Sequence, residues 1–161
     1  MRVMVAMSGG VDSSVAAAMM VEEGHDVIGA TLKLWQGPNG EAPTAGCCTV
    51  SDSEDARRVA AQLEIPYYVL DYTDDFMSGV VDRFIGDYLD GRTPNPCVEC
   101  NRTVKFSRLL DQAADFDCEV LVTGHYARTR RTDAGWQLLT GVDPDKDQSY
   151  VLYMLGQSEL S

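Results

Sequence analysis

Apolar and polar residues follow one another in blocks whose period changes at glycines and prolines. Residues 3–7 form a short apolar, β-prone run that stops at Gly9 and Gly10. A run of helical spacing follows, with Val11, Ser14, Val15, Ala18 and Met19 recurring at i, i+3 and i+4 until Gly24. A second β-branched run covers residues 27–34, and the Gly/Pro-rich residues 37–46 read as a loop. Ser51 or Ser53 can cap a helix running to about Leu63, with Ala56, Val59, Ala60 and Leu63 on one face. After Pro66 comes a short strand, 67–72, and then a helical pattern over 74–89 whose apolar stripe includes Phe76, Val80, Phe84 and Tyr88.

Residues 92–101 contain Pro94 and Pro96 and are expected to form a stiff, extended loop. Residues 103–114 look helical again, with Val104, Phe106, Leu109 and Leu110 toward a core. The run 119–123 is the next strand and leads into Gly124 and His125. Residues 126–131 and 136–140, around a turn at Asp133-Ala134-Gly135, suggest a β-hairpin, and 148–155 a last helix. Four β-then-α units in one direction predict an α/β domain over residues 1–161. Its core is a Rossmann-like, doubly wound parallel sheet with helices on both faces and a small β-hairpin near the C-terminus. Ligands of such sheets bind at the carboxyl ends of the strands.

The first strand–helix junction carries the sharpest chemistry. A strand, a glycine turn and a helix N-terminus aim several backbone N–H groups at one point, where the helix dipole favours an anion such as a phosphate. Gly9 and Gly10 permit close backbone approach, and Ser8, Ser13 and Ser14 carry hydroxyl donors. Neither G-x-x-x-x-G-K-[ST] nor G-x-G-x-x-G is present. Ser8 to Ser14 instead resembles the S-G-G-x-D-S loop of ATP pyrophosphatases, which split ATP between its α- and β-phosphates.

Composition changes this picture in three places. An apolar fraction of 45% and a charged fraction of 24% are those of an ordinary globular domain. No apolar run is long enough to span a bilayer and the N-terminus lacks a signal-peptide pattern, so a cytoplasmic location without a membrane partner is expected. The net charge of −12 argues against a polyanionic partner. From Arg92 to Arg131, however, seven Lys or Arg face five Asp or Glu, which permits a local one.

The five cysteines, Cys47, Cys48, Cys97, Cys100 and Cys118, are odd in number and suit reduced thiols or ligands better than a disulfide framework. Cys97 and Cys100 stand three apart behind Pro94-Asn95-Pro96. With Asn101 as the expected cap of the next helix, Cys100 lies by that helix's positive end, where a thiolate is favoured. Such a thiolate can be a nucleophile, a persulfide carrier or a metal ligand, and the bland alternative is a pair of inert thiols. His125, at a strand's end, falls in the expected ligand crevice. Lys146-Asp147-Gln148-Ser149 combines a cation with hydrogen-bonding groups, or is simply a helix start capped by Asp147.

These stretches occur in a particular order: S-G-G-V-D-S-S from Ser8, Cys47-Cys48, G-R-T-P-N-P-C from Gly91, Cys100-Asn101, Lys105-Phe106, T-G-H-Y-A-R from Thr123, and K-D-Q-S-Y from Lys146. In that order they resemble the tRNA-specific 2-thiouridylases, the MnmA/TrmU family, whose fold is of the adenine nucleotide alpha hydrolase type. The resemblance implies an enzyme, a sulfurtransferase. It uses ATP to adenylate the C2 oxygen of the wobble uridine of tRNA, then replaces that oxygen with sulfur from a cysteine persulfide. It implies ATP contacts at Ala6, Met7, Ser8, Gly9, Gly10, Val11, Asp12 and Ser13, and at Leu32 and Gly124. Asn95, Pro96 and Cys97 would sit against the target base, Cys100 would be the nucleophile, and His125, Lys146, Asp147 and Gln148 would contact tRNA.

Mg²⁺ and a persulfide sulfur-donor protein are implied as well. Cys97 stands where some relatives have Asp, so Cys97 and Cys100 are also candidate ligands of a [4Fe–4S] cluster, which some relatives use. Family members run to about twice this length and carry the persulfide cysteine in the further part. The chain is therefore expected to bind nucleotide without completing thiolation. The alternatives are a related ATP pyrophosphatase that activates a small molecule, or a non-catalytic nucleotide-binding module.

Overall fold

A computed structural model describes residues 1–35 and 50–161. The expected loop at 37–46 and the Cys47-Cys48 pair lie outside the described residues. Four parallel strands, β1 (Arg2–Ala6), β2 (Asp26–Lys33), β3 (Tyr67–Asp71) and β4 (Val120–Val122), form one sheet in the order β3-β2-β1-β4. Met4 lies beside Ile28 on one side and Leu121 on the other. β5 (Ala127–Thr132) and β6 (Gly135–Thr140) form the antiparallel hairpin, with Arg131 opposite Trp136. The expected strands differ from these by one or two residues at their ends, the ordinary uncertainty of a strand boundary.

Alternate residues of a strand point to opposite faces, and each face has its own core. Val3, Val5, Met7 and Val27 pack with Ala17 of α1 (Val11–Glu22) and with Ala56 and Ala60 of α2 (Val50–Gln62). Met4, Ile28, Ala30 and Leu32 pack with Val80, Cys100, Val104 and Leu109 from the opposite layer. That layer consists of two bent helices. One runs from α3 (Thr73–Phe76) through a π-helical stretch, Met77–Val81, into α4 (Asp82–Leu89). The other runs from α5 (Pro96–Cys100) through a longer π-helical stretch, Asn101–Arg108, into α6 (Leu109–Asp115). No helix among the described residues is long and apolar enough to cross a membrane.

The structure decides which face of α1 is buried and corrects two expectations. The stripe Val11, Val15, Met19 on α1 faces solvent, at 72%, 50% and 49% exposure, whereas Ser13 and Ala17 are buried. Apolar residues surround this helix, so period alone does not choose a face. The small side chains of Ser13 and Ala17 let it approach β1. Residues 96–101 are helical rather than extended: Pro96 takes the first helical position, where its missing N–H costs nothing, and Asn95 is the cap. Asn101 is therefore an interior helical residue, 2% exposed, and Cys100 lies in the second turn rather than beside the helix start. Residues 148–155 form only a short 3₁₀ turn, Ser149–Val151, and a separate α7 (Gln157–Leu160) starts after Gly156. The backbone of Gln148 is tied to Tyr126, its N–H donating to the Tyr126 carbonyl at 2.9 Å, which holds this segment against the hairpin.

Candidate active site

Strand order reverses between β1, which continues to β2, and β4, which lies on β1's other side. At the carboxyl ends of these strands opens a cleft of about 790 Å³. Its floor is the loop after β1. Met7 N–H still donates to Ala30 O at 2.8 Å, and the buried Thr31 hydroxyl donates to Met7 O at 2.5 Å, so the loop leaves the sheet in a fixed direction. Gly9 turns it with φ of +79°, and a Cβ there would lie 2.3 Å from the Asp52 carbonyl oxygen. Only glycine fits both conditions. Gly10 is the N-cap of α1 and no side chain caps the helix start; the first-turn carboxylate, Asp12, instead accepts from the Tyr126 hydroxyl.

Ala6, Met7, Ser8, Gly9, Gly10, Asp12 and Ser13 line this cleft, as do Leu32 and Gly124. Val11 does not, since its side chain is turned to solvent. The serine hydroxyls are partly engaged in shaping the loop. Ser13 Oγ donates to Gly10 O at 3.1 Å and accepts from Ser8 N–H at 3.1 Å, and Ser14 Oγ donates to Gly10 O at 2.9 Å. Gly124 closes the far wall. A Cβ on it would meet Ser13 N at 2.7 Å, so the β4 loop packs directly on the first turn of α1.

Pro96, Cys97 and Cys100 enter the same cleft from α5. Asn95 does not line it. Its Oδ1 accepts from Cys97 N–H at 3.0 Å and Val98 N–H at 3.4 Å, which fixes the helix start that presents the thiols. Cys97 is exposed and Cys100 is buried, 8% exposed. Cys118, two residues before β4, does not line the cleft.

His125 lines the cleft, with Nδ1 at 2.9 Å from Thr123 Oγ1 and its ring 6.1 Å from that of Phe106. Burial, and then the positive charge of Lys105, push its pKa down to about 4. At neutral pH it is therefore an uncharged imidazole, a hydrogen-bonding group rather than a cation. Of Lys146, Asp147 and Gln148, only Gln148 reaches the cleft. Its Oε1 accepts from Tyr126 N–H at 3.0 Å. Lys146 is exposed. Asp147 fastens the loop, accepting from Gly141 N–H at 2.7 Å and Ser149 Oγ at 2.8 Å, and these bonds hold its carboxyl below the usual range.

Asp52, Phe76, Thr123, Lys105 and Trp35 are not among the expected site residues, yet all five line the cleft. Thr123 and Trp35 had a positional signal, since both stand at the ends of expected strands. Lys105 stands in the Lys105-Phe106 stretch of the motif order, but in a regular helix it points away from Cys100.

The sequence profile of the tRNA methyl transferase HUP domain matches residues 1–161. The tRNA-specific 2-thiouridylase MnmA of Geotalea uraniireducens is 50% identical over 165 residues, covering 99% of this chain and 44% of its own. The protein of the same name from Cutibacterium acnes is 52% identical over 162 residues, covering 100% and 44%. The chain thus spans less than half the length of the curated relatives it matches. Among solved structures, a protein described as a predicted subunit of tRNA methyltransferase from Methanocaldococcus jannaschii superimposes with a TM-score of 0.51. It has 22% identity and covers 83% of this chain and 55% of that one, a likeness of fold. By sequence across its whole length, the chain belongs to the MnmA family of tRNA-specific 2-thiouridylases and corresponds to its HUP domain.

Proposed function

We propose that the chain is the nucleotide-activating domain of a cytoplasmic tRNA-uridine 2-sulfurtransferase. One observation carries the reading: the uncapped amides of α1 and the thiols of Cys97 and Cys100 open onto one cleft. ATP would place its phosphates against residues 8–13 and its adenosine toward Leu32 and Gly124. The wobble uridine of tRNA would enter past Pro96 and Cys97. Attack of its C2 oxygen on the α-phosphorus releases pyrophosphate and converts a poor leaving oxygen into AMP. The outer sulfur of a cysteine persulfide, which a donor protein loads, then attacks C2 and displaces AMP; the Cys100 thiolate attacks the inner persulfide sulfur, breaking the S–S bond to the transferred sulfur and leaving a disulfide between the two cysteines.

Asp12 and Asp52 line the cleft beside the phosphate loop and are the acidic residues there that would hold Mg²⁺, which would neutralise charge on the leaving pyrophosphate. An iron–sulfur cluster finds two thiols here and no third among the described residues, so no step is assigned to one. The hairpin supports an RNA partner: Arg128 and Arg130 share one strand face, Arg131 the other, and none is ion-paired among the described residues. Neutral His125 and Gln148 are suited to hydrogen-bond a base or ribose.

The test is direct. This chain should bind ATP in a calorimetric titration and should not by itself convert tRNA uridine to 2-thiouridine. In a chain carrying the rest of the family's length, Cys100→Ser should abolish thiolation while ATP still binds. Thiolation surviving Cys100→Ser refutes the sulfurtransferase reading and favours a pyrophosphatase that activates a small molecule.

A further inference from the structure

The cleft has one lysine or arginine among its described lining residues, Lys105. Its position depends on the π-helical stretch Asn101–Arg108. An α-helix turns about 100° per residue, so a residue five places after Cys100 would be carried well round the helix from it. The wider π turn pairs residues five apart and brings Lys105 back to the side that Cys97 and Cys100 occupy. Val104, next to it, stays anchored in the sheet core at 0% exposure, and Phe106 sets its ring against His125. Lys33 is held by Asp71 at 2.8 Å, but Lys105 forms no ion pair among the described residues. The two carboxylates that line the cleft lie on the phosphate-loop side, and one of them, Asp12, is already bonded to Tyr126. Lys105 has intermediate exposure and lines the cleft, so its ammonium is available to an anion bound there.

We propose that Lys105 is a catalytic residue whose ammonium holds the α-phosphate of the bound nucleotide from the side opposite the phosphate loop. This rests on the nucleotide reading above and adds a residue to it. As the uridine O2–phosphorus bond forms and the bond to pyrophosphate breaks, pyrophosphate leaves with the electron pair. As sulfur then bonds to C2, the C2–O2 bond breaks and AMP leaves with the pair, gaining a negative charge on the same phosphate. A cation fixed at that phosphate favours both transition states without reorganising. The charge of Lys105 reaches His125, which lines the same cleft.

The experiment compares AMP with adenosine as titrants of this chain, which isolates the α-phosphate. The unsubstituted chain should prefer AMP. Lys105→Met should reduce that preference about tenfold, the size of a lost charge-assisted hydrogen bond, with adenosine affinity unchanged. Lys105→Arg should keep most of the preference. Should the methionine variant not fold by circular dichroism, Lys105→Gln takes its place. An unchanged AMP-to-adenosine ratio overturns the assignment while leaving the nucleotide site intact. Loss of tRNA affinity with that ratio unchanged also overturns it, giving the ammonium to an RNA phosphate. A chain that binds neither titrant removes the nucleotide reading and Lys105's role together.

Discussion

The phenolic hydroxyl of Tyr126 donates to Asp12 Oδ1 at 2.8 Å, joining two residues 114 positions apart. Through this bond the loop after β4 holds the acidic residue of the phosphate loop, and Gln148 in turn holds the Tyr126 backbone. The carboxylate stabilises the protonated phenol, so the hydrogen bond and charge of Asp12 raise the Tyr126 pKa. Asp12→Asn should return Tyr126 toward ordinary tyrosine behaviour. The check is ultraviolet absorbance of tyrosinate between about pH 9 and 12, where the variant should ionise one tyrosine earlier than the parent.

Gly124 has no room for a methyl group. Gly124→Ala would press Cβ onto Ser13 N at 2.7 Å and Asp12 C at 2.9 Å, both backbone atoms. The variant should lose about 1–3 kcal/mol in urea unfolding, and nucleotide affinity with it, as the first turn of α1 shifts. Gly86→Ala is the control. Nothing lies within 4 Å of its would-be Cβ and it sits inside α4, so it should gain about 0.5–1 kcal/mol.

His125 makes stability depend on pH. Its folded pKa of about 4 lies below the unfolded 6.5, so between these values the unfolded chain binds the extra proton. Stability from this residue is complete above about pH 6.5 and falls as pH drops toward 4, by roughly 3 kcal/mol at most. Urea midpoints should decline over that window, and His125→Asn should flatten the decline. An equal slope in the variant would show that other groups carry it.

Asn95 acts through the helix it starts. Asn95→Ala removes the acceptor of two amides and should cost about 1 kcal/mol, while Asn95→Asp should keep the cap. Urea unfolding of the three chains decides this.

Burial separates the two thiols. Peptide mapping after brief iodoacetamide treatment should find Cys97 alkylated well before Cys100. Equal rates would show that the α5 turn opens readily and that Cys100 is reached without the cleft's geometry.

Local features are legible in the order of residues along the chain. The βα alternation, the glycine turn between β1 and α1 and the hairpin around Asp133-Ala134-Gly135 each rest on neighbours in sequence, where glycine φ freedom and hydrophobic period act directly. The motif order from Ser8 to Tyr150 is enough to point to the family. Other features were decided by packing. Which side of α1 faces the sheet depends on the small volumes of Ser13 and Ala17 against β1, since an all-round apolar helix has no single face to read. The helix start at Pro96 depends on Asn95 being free to cap it, which a pattern of prolines conceals. Lys105 joins the cleft only because the helix widens into a π turn as Val104 and Leu109 settle on the sheet, and no local period encodes that rotation. Sequence determined the parts whose energetics are short-range, whereas contacts between distant segments set the phase of each helix and so which side chains share the cleft.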